Sequence, residues 1–242
     1  MSQEKKESSG RNYLIASLVA LIFWIPLTRW WKPDMIPMDM ADIWNNHGTT
    51  IADWLLLGLP IFVWGVTVTF LLKVFSSGLL RRKDAAGIFI GGTLISIFAG
   101  VTEEIAFRWL LFFGSFLTIG ATNWAFFGFL GFGLPEWFFT VIWGPLASFT
   151  TFGHLEPWLS HPSGWLFGAA LLSSNAFFRN GHKYLGPLGY VNSWFLGMFF
   201  FYVMFTHGLL AAIFIHFLYD FLIFSTSALI TLFAGRGKRR AW

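Results

Sequence analysis

Long apolar stretches separated by short polar segments dominate the hydropathy pattern of this chain. Stretches of about 20 residues recur along most of its length, and each is long enough to cross about 30 Å of hydrocarbon. They are continuous rather than alternating, which favours helices over the strands of a membrane β-barrel. The pattern therefore predicts an all-α fold, a polytopic transmembrane helical bundle of about seven or eight spans.

The N-terminal third predicts a polar tail followed by two spans. Residues 1–12 are polar and are expected to form a disordered cytoplasmic N-terminus. Residues 13–84 predict two transmembrane helices, at about 13–31 and 53–74, joined by an acidic loop. The first apolar stretch lacks a small-residue cleavage site, so we interpret it as a retained helix rather than a signal peptide.

Residues 85–234 carry the remaining spans. The stretch 85–119 is too long for one simple span, so it predicts a long kinked helix or two shorter helices, with Gly100 as the break. The segments that follow are an apolar block at 123–149, a polar loop at 153–164, and helices at about 165–181, 191–205 and 208–233.

Composition agrees with a membrane protein. Hydrophobic residues make up 56% of the chain and charged residues only 12%, whereas soluble domains carry about 25% charged residues. The chain contains no cysteine, which excludes disulfides, thiolate metal sites and a cysteine nucleophile. We expect the lipid bilayer as a partner.

The net charge of +4 predicts topology. Basic residues concentrate in the N-terminal segment, in a turn at 81–83 and in the tail at 235–242, so both termini are expected in the cytoplasm. Two cytoplasmic termini require an even number of spans, which favours eight over seven. This distribution indicates orientation rather than nucleic-acid binding, and no nucleic-acid partner is expected.

Two adjacent acids, Glu103 and Glu104, interrupt an apolar run, and Arg108 follows. Ionisable residues inside a membrane segment are costly and usually serve a function. On a helix, Arg108 lies one turn after Glu104 and can pair with it, while Glu103 points about 100° away. The alternative interpretation is a buried structural ion pair between helices, which leaves the second acid unexplained.

Two further pairs show the same i,i+4 spacing: Phe178 with His182, and His216 with Asp220. Taken alone, a histidine at a helix end such as His182 is more often an interface or capping residue. His216 and Asp220 share a helix face and can jointly bind a metal, orient a water or polarise a carbonyl. The alternative for this pair is a satisfied hydrogen bond between helices.

The motifs Glu-Glu-x-x-x-Arg, Phe-x-x-x-His and His-x-x-x-Asp, in that order on separate apolar helices, resemble the CPBP family. These are intramembrane proteases of the CAAX-processing and bacteriocin-processing group, also called the Abi family. The resemblance covers roughly residues 85–230, so we interpret 85–234 as a CPBP-like catalytic core. Trp109 replaces the glycine that is common after the motif arginine, and Asp220 stands where the family often has asparagine.

The resemblance implies hydrolysis of a peptide bond in or near the membrane by an endopeptidase. Its substrate would be a membrane-associated peptide or protein. Glu103 would be the general base that activates a water, and His182 would help to orient that water. His216 and Asp220 would stabilise the oxyanion or hold a metal, and Glu104 completes the expected catalytic set.

The resemblance also implies two structural residues, Arg108, which would brace Glu104, and Phe178. A divalent metal such as zinc is the cofactor alternative, because two histidines and a glutamate resemble a hydrolytic zinc set. That set would be Glu103, His182 and His216, but no His-Glu-x-x-His motif accompanies it.

His154 competes with His182 for the second motif. It has Thr150 at the position where the motif requires phenylalanine, and its neighbouring prolines suit a loop better than a helix. We therefore prefer His182 and interpret residues 123–164 as an insertion, which lengthens the interval between the first two motifs beyond the family's usual one.

Other functions fit the sequence less well. The chain lacks the Gly-x-Ser-Gly motif of serine intramembrane proteases and the second aspartate of the aspartyl type. Two alternatives outside proteolysis stay open. One is a proton- or cation-coupled transporter, for which we find no inverted repeat. The other is a catalytically silent membrane scaffold or immunity factor.

Overall fold

The computed structural model describes residues 41–76, 84–161 and 163–234, with a few single positions between 15 and 30. Helices make up most of this part, and no strand occurs in it, so the predicted all-α class is confirmed. The predicted N-terminal tail, the basic turn and the basic C-terminal tail lie outside the described residues, as does most of the first predicted span.

Nine α-helices and two π-helical segments follow one another in the described part. The α-helices are α1 (Ile51–Ser76), α2 (Ala85–Glu103), α3 (Phe112–Ala125), α4 (Leu134–Phe138), α5 (Gly144–Thr150), α6 (Glu156–Leu159), α7 (Gly164–Gly181), α8 (Gly186–His207) and α9 (Leu209–Ala234). The π-helical segments are Glu104–Leu111 and Phe139–Trp143, and short 3₁₀ turns lie at Asp42–Trp44, Gly128–Leu130 and Lys183–Leu185.

Four of the described helices are long and apolar enough to cross a membrane, which indicates a membrane protein. They are Ile51–Lys73, Ala85–Ala125, Lys183–His207 and Leu209–Phe233. The apolar block predicted at 123–149 is divided into short helices, because Gly131, Gly133 and Pro135 interrupt it. The predicted polar loop at 153–164 contains the short helix α6.

The described residues form two compact units, and the second comprises those within 46–104 and 210–234. Within it, α1 and α2 pack on α9 through glycines. Gly65 lies against the ring of Tyr219, and Gly92 lies against the ring of Phe224. Small residues allow transmembrane helices to approach closely, where dispersion contacts between them are strongest.

The break predicted at Gly100 is wrong, because α2 continues through Gly100 to Glu103. A Cβ atom at this position would lie 3.0 Å from the backbone nitrogen of Phe217 and 3.1 Å from the carbonyl oxygen of Ile213. Gly100 therefore serves the close approach of α2 to α9. The departure from α-helical geometry begins four residues later, at Glu104.

The first unit, residues 1–45 and 105–209, has an aromatic core. The ring centroid of Phe112 lies 5.4 Å from those of Phe167, Phe201 and Phe205, and Phe112 is fully buried. Tilted and edge-on ring pairs at such distances add attraction to the burial of apolar area. This core joins α3, α7 and α8 and accounts for part of the high phenylalanine content.

Residues 123–164, the segment predicted as an insertion, belong to the first unit. Hydrogen bonds between Asn123 and Glu136 fix the beginning of this segment. The backbone N–H of Glu136 donates to Oδ1 of Asn123 at 3.0 Å, and the amide of Asn123 donates to the Glu136 carboxylate at 3.4 Å. Asn123 is buried, so these bonds satisfy a polar group that would be costly without partners. They connect the end of α3 to the start of α4.

Candidate functional site

The second unit brings four of the predicted site residues together around the ring of His216. Nδ1 of His216 lies 2.7 Å from Oε1 of Glu104. Its other nitrogen, Nε2, lies 4.0 Å from Oε2 of Glu103 and 3.7 Å from Oδ2 of Asp220. One histidine of α9 thus faces three carboxylates: Glu103 at the end of α2, Glu104 at the start of the π-helical segment, and Asp220 on α9 itself.

The backbone explains why Glu104 reaches His216. Gly100 lies one turn before Glu104, and it contacts the backbone of Ile213 and Phe217, the residues that flank His216 by one turn or less. Without a side chain at Gly100, the two helices approach closely enough for a direct hydrogen bond. The π-helical segment then begins at Glu104, and such segments occur frequently at functional sites.

Burial divides the four side chains into an inner pair and an outer pair. Glu104 is fully buried and the His216 side chain is 5% exposed. The side chains of Glu103 and Asp220 are 28% and 23% exposed. The inner pair is therefore shielded. The two outer side chains are partly exposed, although Oε2 of Glu103, the oxygen nearest Nε2, is itself buried.

The hydrogen bond to Glu104 determines what His216 can do. With Glu104 in its carboxylate form, which only accepts, Nδ1 of His216 is the donor. In the imidazolium form, Nε2 then donates toward the outer carboxylates; in the neutral form, Nε2 carries a lone pair and accepts a proton. Glu104 therefore orients the ring and leaves Nε2 as the nitrogen that is open to chemistry.

Glu104 contacts the His216 ring more closely than Asp220 does. Glu104 forms the 2.7 Å bond to Nδ1, whereas Asp220, one turn after His216, lies 3.7 Å from Nε2. Glu104 and His216 are 112 positions apart, so no local spacing indicates their contact. The pairing of Glu104 with Arg108 stays a prediction.

Three other predicted residues, Arg108, Phe178 and His182, lie in the first unit. The ring of Phe178 contacts both of the others. The guanidinium carbon of Arg108 lies 4.0 Å from the ring centroid of Phe178. Arg108 is fully buried, and its NH2 group donates to the carbonyl of Gly197 at 3.5 Å. Contact with an aromatic face and a carbonyl partly compensates a desolvated cation.

His182 contacts the same phenylalanine at the end of α7. The rings of Phe178 and His182 are 4.6 Å apart, and Nδ1 of His182 lies 2.8 Å from the carbonyl oxygen of Phe178. A carbonyl only accepts, so Nδ1 carries the proton and Nε2 of the neutral ring is the basic nitrogen. The Phe-x-x-x-His spacing thus orients the histidine through both the ring and the backbone of Phe178.

His154, the competing second-motif histidine, is exposed and lies in a turn, which agrees with the loop expected around it. Its backbone N–H donates to the carbonyl of Thr151 at 2.9 Å. Its ring lies 5.1 Å from the ring of Tyr202. None of the motif residues takes part in these contacts.

Sequence reasoning missed three residues that position α7 and α8 in the first unit. The Ser174 hydroxyl donates to the carbonyl of Phe107, and the Asn175 amide donates to the carbonyl of Trp194 at 2.9 Å. A Cβ atom at Gly197 would collide with Asn175. The available signal was the polar triplet Ser-Ser-Asn inside an otherwise apolar helix.

The metal set that the resemblance suggests, Glu103, His182 and His216, stays a prediction. Among the described residues, no three His, Asp or Glu side chains are arranged so that they could hold a metal ion. The carboxylates and imidazoles around His216 are groups that can transfer protons.

Comparison of the chain with protein-family models, with curated proteins and with solved structures finds no match.

Proposed function

We propose that this protein is an intramembrane endopeptidase of the CPBP type, which hydrolyses a peptide bond with a glutamate-activated water. The observation that supports this most strongly is the cluster around His216. A buried, oriented histidine with two partly exposed carboxylate side chains beside its second nitrogen provides the groups that general acid–base chemistry requires. A purely structural ion pair needs one carboxylate, and this cluster has three.

In the proposed reaction, Glu103 takes a proton from water as the water oxygen bonds to the peptide carbonyl carbon. The distance of 4.0 Å between Glu103 and Nε2 of His216 exceeds one direct hydrogen bond of about 3 Å, so a small reacting group can contact both. The carbonyl oxygen becomes an oxyanion, to which Nε2–H of His216 donates. Glu103 then returns the proton to the leaving nitrogen as the C–N bond breaks.

The remaining residues would support this reaction. Glu104 would hold the His216 ring, and Asp220 would stabilise its imidazolium form. His182, with Nε2 as its basic nitrogen, would orient the water. Arg108 would brace the first motif through its contacts with Phe178. In the membrane, we propose eight spans with both termini in the cytoplasm.

Proteoliposomes that contain a membrane-protein extract from the expression host test this function. New peptide termini, identified by mass spectrometry, should form with the wild-type protein and not with Glu103→Gln, which removes the base without changing shape. A pH-sensitive dye in the same vesicles reports proton flux. Flux without new termini would contradict the peptidase and support a transporter; neither signal would support the silent scaffold.

A further inference from the structure

A second charged group, distinct from the motif residues, lies at the junction of α7 and α8 in the first unit. The guanidinium carbon of Arg179 is 4.4 Å from the ring centroid of Tyr190 and 5.0 Å from that of Trp194. Two aromatic faces hold the planar guanidinium in one orientation. Its N–H groups are therefore fixed in direction before any ligand arrives.

The hydrogen bonds around Arg179 leave donors available. Its NH2 group donates to Oδ1 of Asn180 at 3.3 Å, and the Tyr190 hydroxyl donates to the same oxygen at 2.9 Å. Because both bonds engage the amide oxygen, the Asn180 NH₂ group is directed away from them. The buried Nε of Arg179 has no hydrogen-bond partner among the described residues.

Among the described residues, no carboxylate forms an ion pair with Arg179. Within the described part of the chain, neither Arg179 nor Lys183, one turn further on, forms an ion pair with an acid. The sequence contains no aspartate or glutamate between Glu156 and Asp220. Arg179 and Lys183 are therefore cations near the same helix junction without an acidic partner in the described part of the chain, which favours binding of an anionic group.

The surroundings point to a lipid as the source of that anion. Lys183 is the first residue of a candidate membrane span, and lysine and aromatic residues mark the level of the headgroups. Leu185 and Leu188 are 52% and 78% exposed beside these donors. An acyl chain can cover this apolar surface, whereas a free phosphate ion cannot.

We propose that Arg179, Asn180 and Lys183 bind the phosphate of an anionic phospholipid. Arg179 and the Asn180 amide donate to phosphate oxygens, and Lys183 adds charge at the interface. This inference stands apart from the proposed peptidase, since none of these three residues belongs to the predicted catalytic set.

Thermal unfolding of the full chain in detergent tests this site by titration with phosphatidylglycerol, with phosphatidylcholine as the reference lipid. Phosphatidylglycerol should raise Tm at concentrations where phosphatidylcholine does not. Arg179→Gln and Lys183→Gln should each weaken the apparent affinity about fivefold, and the double variant about 25-fold, as expected for one interfacial charge each. Lys73→Gln, which removes one charge from the end of α1, serves as the matched control and should leave the affinity unchanged.

Three results would overturn the proposal. Equal phosphatidylglycerol affinity in wild type and Lys183→Gln would do so even if Arg179→Gln fails to fold, because Lys183 is exposed and its replacement leaves the packing intact. A Tm increase with inorganic phosphate that matches the lipid would assign the site to a free ion. Displacement of the lipid by a peptide with a free C-terminal carboxylate would assign the site to a substrate.

Discussion

Glu104 is fully buried, and its 2.7 Å hydrogen bond to His216 is what makes this burial tolerable. An isolated carboxylate in a low-dielectric interior is strongly disfavoured, whereas a paired and hydrogen-bonded one is not. The same bond selects which ring nitrogen of His216 faces the outer carboxylates. At the residue level, both the burial of Glu104 and the proposed chemistry therefore depend on this one contact.

Substitutions of Arg108 test its proposed structural role in the first unit. Arg108→Ala should lower both Tm and peptidase activity, because it removes a fully buried side chain from the ring of Phe178 and the carbonyl of Gly197. Arg108→Lys should restore stability only in part, since an ammonium does not reproduce the planar stacking of a guanidinium. Unchanged Tm and activity in Arg108→Ala would contradict this role.

Alanine substitutions distinguish between His182 and His154, the two candidates for the second-motif histidine. His182→Ala should abolish formation of new peptide termini, because it removes a ring oriented by Phe178. His154→Ala should leave most of the activity, because His154 is exposed in a turn. The opposite result would place the second motif at His154, and residues 123–164 would then not be an insertion.

At the scale of the helix, glycines of α2 set its distance from α9. Gly92 and Gly100 both face α9. Atoms of Phe224 occupy the space beside Gly92, and the backbone of Ile213 and Phe217 lies against Gly100. The close approach at Gly100 directly precedes the π-helical segment that begins at Glu104. Helix packing therefore positions the acids toward His216.

Gly100→Ala tests whether the position of the acids depends on the close packing of α2 on α9. The added methyl would lie 3.0 to 3.1 Å from backbone atoms of Phe217 and Ile213, so the helices must separate, at about 1–3 kcal/mol of overpacking. We expect a lower Tm together with reduced peptidase activity. Gly91→Ala is the matched control: no atom lies within 4 Å of its added Cβ, so its Tm should equal or exceed that of the wild type. Equal behaviour of the two variants would contradict the packing argument.

The helices differ in how far the sequence could predict them. The run predicted at 165–181 corresponds closely to Gly164–Gly181, and the run at 208–233 to Leu209–Ala234, because each is an apolar stretch bounded by glycine. The π-helical segments were not predicted, since they depend on tertiary packing rather than on local propensity. The Glu104–His216 contact escaped prediction for the same reason, although each of the two residues was identified by its cost in an apolar helix.

At the scale of the molecule, four described helices are suited to cross a membrane, and the charge distribution predicts their orientation. The absence of cysteine in the chain allows single cysteines to report sidedness without background. Ser2→Cys, Arg82→Cys and Gly235→Cys should be protected from an impermeant thiol reagent applied outside intact cells, whereas Asp39→Cys in the acidic loop should react. Labelling of Ser2→Cys and protection of Gly235→Cys would indicate an odd number of spans and contradict the proposed topology.

We expect the carboxylates around His216 to act together through that histidine, as parts of a single site. A double-mutant cycle with Glu104→Gln and Asp220→Asn, read as the rate of formation of new peptide termini, tests this expectation most directly. Glu104 contacts Nδ1 and Asp220 lies near Nε2 of the same ring, so the two effects should be coupled by about 0.5–3 kcal/mol. Glu104→Gln combined with His154→Ala should be additive, as a control. Additivity of the first pair within about 0.3–0.5 kcal/mol would mean that the two acids act independently, which would contradict a single site centred on His216.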